Sequence, residues 1–182
     1  GNIIFGDATP SGRLPITFPK SLDQLPPYDD YSMEGRTYKY MKAEPMYPFG
    51  FGLSYTTFQY SGLSTNAKKY KSKEVIRITA TLKNTGKFEG EEVVQLYVSV
   101  PPAKFRTPQF DLKGFKRVHL KPQEETTITF EIPTEKLMSI DEQGNKLLLN
   151  GQYKFYVGGS APFERSIELG ASQWLETTVI IQ

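Results

Sequence analysis

Cysteine is absent from the 182 residues. That excludes disulfides and any chemistry running through a thiolate, while saying little about compartment. Histidine occurs once, at His119. With no cysteine and no second histidine, a zinc-type ligand set and a nucleophile–histidine pair both lack their parts. No apolar run is long enough to cross a bilayer, and no segment has the layout of a signal peptide. Neither sign of charge dominates: the net charge is +2, and basic residues are spread through the chain. The local cluster Lys68, Lys69, Lys71 and Lys73 sits beside a turn and reads as solvated surface, so no nucleic-acid partner is expected. There is no internal repeat and no low-complexity segment. Gly50-Phe51-Gly52 is not followed by a helical pattern, so it does not read as a phosphate-binding loop.

What is present is an aromatic joint. Tyr47 to Phe58, YPFGFGLSYTTF, alternates aromatic rings with Gly50 and Gly52, and Pro48 disfavours helix at Tyr47. It reads as a rigid, irregular connection. Ahead of it, Asn2 to Phe5 reads as the last turn of a helix, an opening that fits a piece of a longer protein. Leu14, Ile16 and Phe18 are spaced by two, as in a short extended segment. Ser21 to Pro45 is irregular, broken by Pro26-Pro27 and Asp29-Asp30, and carries Tyr28, Tyr31, Tyr38 and Tyr40.

After the joint the pattern has period two. Phe58 to Leu63 predicts a first strand. In Val75 to Leu82, the side chains of Ile76, Ile78, Ala80 and Leu82 share one face, and Asn84-Thr85-Gly86 follows as a turn. Val93 to Val100, Leu112 to Leu120 and Glu125 to Ile132 predict three further strands, the first carrying apolar residues on both faces. Thr134 to Ser139 reads as one helical turn. Gln143-Gly144-Asn145 and Asn150-Gly151 read as turns, and Tyr153, Phe155 and Val157 alternate. Glu164 to Leu169 and Thr177 to Ile181 are expected as the last strands. Many short strands at regular spacing predict an antiparallel β-sandwich of the immunoglobulin or fibronectin type III kind.

Candidate chemistry is sparse. Asp29-Asp30 is an adjacent acidic pair, but an exposed turn is the plain reading. Glu91-Glu92 opens a strand, so its two side chains point to opposite faces and do not share a site. Asp141 reads as a turn residue and His119 as strand surface. Trp174 and Tyr97 are the aromatics best placed to form an exposed platform for sugar stacking, although most aromatics in a small β domain serve its core or its contacts. No residue is assigned as catalytic, cofactor-binding or metal-ligating, and no cofactor is expected.

Five stretches, in order, carry a resemblance: Gly6 to Pro19 (GDATPSGRLPITFP), the joint, Asn84-Thr85-Gly86, Gly90 to Val98 (GEEVVQLYV) and Leu112 to Leu120 (LKGFKRVHL). Together they resemble the C-terminal end of glycoside hydrolase family 3, the β-glucosidase and β-xylosidase family. The resemblance implies a domain order of 1–20 as the tail of an α/β sandwich domain, 21–54 as a linker and 55–182 as a fibronectin type III-like β-sandwich. It also implies a retaining, exo-acting parent enzyme on oligosaccharides, with an aspartate nucleophile in an N-terminal barrel and the acid/base upstream in the second domain. No aspartate here stands in the nucleophile's context, so the chain alone is expected to be inactive. The implied partners are the barrel and α/β sandwich domains, and the implied location is exported. A carbohydrate- or partner-binding module is the alternative, and homodimerisation stays open.

Overall fold

The computed structural model describes residues 1–182. Three short α-helices, α1 (Asn2–Phe5), α2 (Thr37–Tyr40) and α3 (Glu164–Glu168), punctuate a chain that is mainly strand. The strands are β1 (Phe58–Thr65), β2 (Lys69–Tyr70), β3 (Val75–Asn84), β4 (Gly90–Ser99), β5 (Asp111–Leu120), β6 (Glu125–Pro133), β7 (Ser139–Ile140), β8 (Lys146–Leu147), β9 (Gly151–Gly158) and β10 (Leu175–Ile181). β1-β3-β6 form one sheet and β2-β10-β9-β4-β5 the other, with β7-β8 as a small hairpin. All pairings are antiparallel except β2 with β10. The mainly β sandwich expected from the period-two runs is therefore present.

The alternation that predicted the strands also builds the core. Ile76, Ile78, Ala80 and Leu82 of β3 are buried against Val94, Leu96 and Val98 of β4 and Tyr153, Phe155 and Val157 of β9. Ile128, Phe130 and Ile132 of β6 close the same core. Each fully buried Leu, Ile, Val or Phe contributes about 1.5–3 kcal/mol relative to exposure. The β7-β8 turn is held by Asp141, whose carboxylate accepts from the amides of Gln143 and Asn145. Those bonds, with the Asn145 side chain first among them, keep its carboxyl below the usual range.

One expected strand is a helix. Ile167 and Leu169 have strand spacing, but Glu164 to Glu168 form α3. Glu164 lies in its first turn, where the helix dipole favours an acid, and Arg165 pairs with Glu168 at 2.9 Å. Gly170, with φ of 94°, ends it as its amide bonds back to Ile167. Local helix signals outweigh a two-residue alternation too short to specify a strand.

Asn84 is likewise more than the first residue of a turn. It ends β3 fully buried, and its side chain makes four hydrogen bonds: from the Thr56 hydroxyl (2.6 Å), from the Gly86 amide (3.0 Å), to Phe88 O (2.8 Å) and to Leu120 O (3.1 Å).

Candidate functional site

Residues ahead of β1 lie against the sandwich as an added layer. The Leu14 amide donates to Phe51 O (2.9 Å) and the Gly50 amide to Leu14 O (2.8 Å). Further along, the Phe18 amide donates to Tyr47 O (2.9 Å). The extended segment predicted around Leu14 to Phe18 thus pairs with the joint, not with the sandwich. The joint then seats on β4 and the residues after β9. The Ala161 amide donates to Phe49 O (2.9 Å), and Gln95 Nε2 donates to Gly50 O (3.2 Å) and Gly159 O (2.6 Å). At Gly50 φ is 78°, and a Cβ would collide with the Gln95 carboxamide, so this crossing needs glycine twice over.

Tyr97 is not an exposed platform. Its exposure is 0%, its hydroxyl donates to Gln95 Oε1 (2.5 Å), and its ring meets Tyr38 edge-on at 5.7 Å. Burial pushes its phenol well above 10. The layer ahead of β1 covers the outer face of β4 here, which explains why that strand is apolar on both sides. Trp174 is half-buried over Gly158, whose missing Cβ leaves it room. The fully buried Tyr97 has no free face of the kind a sugar platform requires.

The acidic pairs separate as their strand positions predict. Glu91 accepts from Arg117 (2.9 Å) and Ser11 (3.1 Å), and those bonds hold its carboxyl below the usual range. Glu92 points to the other face, 5% exposed, and pairs with Arg13 at 2.8 Å. Burial raises its carboxyl pKa, with Arg13 pulling against the shift. The Asp30 carboxylate accepts from the Ser32 amide (2.8 Å), a bond that lowers its pKa and belongs to a local turn. His119 is exposed on β5, 3.6 Å from Glu89. The lysine cluster from Lys68 to Lys73 is exposed throughout.

A second seam joins α2 to β5. Asp111 lies between Lys39 (2.7 Å) and Lys113 (2.5 Å). Burial pushes its carboxyl up, but the two lysines outweigh burial and leave it below the usual value. Gln109 adds bonds to Tyr38 O (3.0 Å) and Met41 O (2.6 Å). Sequence reasoning missed Arg13, Gln95, Gln109 and Asn84. The one signal within reach was a polar residue set among apolar ones on a strand covered on both faces, as at Glu92 and Gln95.

Two family models match the chain. Residues 1–55 match the glycosyl hydrolase family 3 C-terminal domain, and residues 92–161 match the fibronectin type III-like domain. The chain belongs to glycosyl hydrolase family 3. A putative β-xylosidase of Formosa agariphila is 37% identical over 87% of this chain and 21% of its own length. A periplasmic β-glucosidase of Salmonella typhimurium is 35% identical over 86% of this chain and 22% of its own. A β-glucosidase structure from Erythrobacter marinus superposes with a TM-score of 0.80 at 31% identity, covering all of this chain and 23% of that one. The chain thus spans less than a quarter of the length of these family 3 proteins, corresponding to their C-terminal part.

Proposed function

We propose that this chain is the non-catalytic C-terminal portion of a retaining, exo-acting β-glycosidase that releases terminal sugars from β-linked oligosaccharides. In that reading, residues 1–20 finish the α/β sandwich domain, 21–54 form the linker and 55–182 the fibronectin type III-like sandwich. The sandwich scaffolds the catalytic domains, and the whole enzyme is exported.

The observation that carries this reading is where apolar surface is left uncovered. Fourteen of the twenty exposed large hydrophobic side chains lie in residues 1–55, among them Ile4, Phe5, Tyr28 and Tyr31. The sandwich proper is well covered. A surface seldom keeps so dense an apolar set unless another body packs on it; in this reading that body is the remainder of the family 3 C-terminal domain, of which residues 1–55 are the matched part.

A retaining glycosidase needs two carboxyl groups about 5 Å apart across the scissile bond. Glu91, Glu92, Asp111 and Asp141 are instead committed to cations or turn amides. In this reading the nucleophile and the acid/base belong to residues outside this chain. The test is hydrolysis of aryl β-glucoside and aryl β-xyloside by the purified chain. No turnover above buffer is expected; turnover that copurifies with the chain overturns the reading.

A further inference from the structure

Asn150 is the last residue before β9, and Gly151 opens that strand. The dipeptide expected as a turn is thus the entry to a core strand, whose Tyr153, Phe155 and Val157 are fully buried. Gly151 takes a φ of 136°, a region that side chains rarely adopt, and a Cβ there would meet Pro101 at 3.1 Å. Position 151 is therefore committed to glycine, and no side chain of its own shields its amide nitrogen. Asn150 is exposed. Gly151 and Ile181 form the last pair between β9 and β10, and an end pair opens more readily than an interior one.

An asparagine carboxamide can be attacked by the amide nitrogen of the next residue, closing a five-membered ring. A Cβ on that next residue crowds the nitrogen, so glycine is the most permissive follower. Of the five asparagines, only Asn150 precedes a glycine. The others are also held or hindered. Asn84 is fully buried with its carboxamide in four hydrogen bonds. Asn66 Oδ1 accepts from the Tyr70 hydroxyl (2.7 Å) and the Arg77 amide (2.7 Å). Asn145 Nδ2 donates to Asp141 (3.0 Å). Asn2 opens α1 and precedes the β-branched Ile3.

We propose that Asn150 is a site of spontaneous deamidation through a cyclic imide. The Gly151 nitrogen gives its proton to water and bonds to Asn150 Cγ. The Cγ–Nδ2 bond breaks, and Nδ2 leaves as ammonia after taking up a proton. Water then opens the ring. Cleavage between Cγ and the Gly151 nitrogen gives aspartate; cleavage between the Asn150 carbonyl carbon and that nitrogen gives isoaspartate. Either product lowers the net charge by one, from +2 to +1. Isoaspartate also adds a backbone carbon immediately ahead of β9, between the Leu149 carbonyl that accepts from the Tyr153 hydroxyl (2.8 Å) and the Gly151–Pro101 contact. The site is independent of the proposed glycosidase reading.

The experiment is storage of the folded full chain in mildly alkaline heavy-oxygen water, followed by brief tryptic digestion and mass mapping against a fresh sample. The peptide from Leu147 to Lys154 should split into two later species of equal mass, aspartyl and isoaspartyl, each carrying a heavy oxygen atom from the storage water. Ammonia should appear in step with them. Asn150→Gln changes an exposed side chain and keeps the fold; a glutamine has to close a six-membered ring, so the early acidic species should vanish. An unchanged peptide after storage, faster conversion at Asn2, Asn66, Asn84 or Asn145, or an acidic species that persists in Asn150→Gln would each overturn the proposal.

Discussion

Replacing Asn84 with alanine should be among the most damaging single changes in the sandwich. The side chain is fully buried and makes four hydrogen bonds of 2.6 to 3.1 Å, two as acceptor and two as donor. A typical net contribution is about 1 kcal/mol per bond. Alanine also leaves the Thr56 hydroxyl and Leu120 O facing a small void, each costing about 1–3 kcal/mol if water does not enter. The expected loss is therefore about 3–5 kcal/mol, against a total stability of about 5–15 kcal/mol for a domain this size. Asn84→Asp keeps the acceptors but turns a carboxylate toward two carbonyl oxygens, so it should do no better. Thr85→Ala, one residue on, removes an exposed hydroxyl pair with Thr57 at 2.9 Å and should cost under ~0.5 kcal/mol. Urea unfolding followed through Trp174 fluorescence measures all three. If Asn84→Ala lies within about 1 kcal/mol of the parent, the bonds around Asn84 are not what closes that end of the sandwich.

Other changes probe the seams. Gly50→Ala should destabilise by at least ~2 kcal/mol, because its φ of 78° disfavours a Cβ and the methyl displaces Gln95 from Gly50 O, Gly159 O and the Tyr97 hydroxyl; an unchanged thermal midpoint would refute the crowding argument. Arg13→Ala leaves Glu92 buried without its cation and should cost about 3–5 kcal/mol, read by urea unfolding, whereas Arg13→Ala with Glu92→Gln should recover part of that. The pH dependences of the Glu92 and Asp111 carboxyls should run in opposite directions. Glu92 has a folded pKa raised above 4.5, so its contribution is fully present below 4.5 and is lost as pH rises through the folded value; Glu92→Gln should gain on the parent as pH rises to neutral. Asp111 has a folded pKa below 3.8, so its contribution is present above 3.8 and lost as pH falls through the folded value; the deficit of Asp111→Asn should shrink on acidification. Urea midpoints across that range check both signs.

Strand existence was legible because one face of each long strand is buried and the other is not. That asymmetry writes period two directly into β3 and β6. β4 also announced that both of its faces are covered, through Val93 and Tyr97 opposite Val94, Leu96 and Val98. What covers the outer face was not legible, because pairing between Leu14 and Phe51 and between Phe18 and Tyr47 uses backbone atoms that any residue carries. α3 was lost for a different reason: five residues hold too little of either period, and the deciding signals were Gly170 and the Arg165–Glu168 pair. Buried polar hubs such as Asn84 and Gln95 look like turn and surface residues in sequence, since composition does not reveal how many partners a carboxamide will meet. The family was legible where fold mechanics could not reach it, through ordered motifs in place of any catalytic group.

The layer ahead of β1 is bound to the sandwich by groups that resist sliding. Glu92 faces the core side of β4 and Gln95 the outer side, so Arg13 and Gly50 grip the same strand from its two faces. Ser11 and Thr9 extend the grip to Glu91 and to Glu89 O, and Lys39 with Gln109 repeats it at β5. A hinge between residues 9–18 and the sandwich would have to break the buried Arg13–Glu92 ion pair. Leaving that carboxylate buried without its cation costs about 3–5 kcal/mol. The joint, with its two glycines and five aromatics, is therefore a clamp and not a flexible linker. The sandwich is held in one orientation relative to the exposed apolar surface of residues 1–55, which is the property a scaffold beside a catalytic body requires.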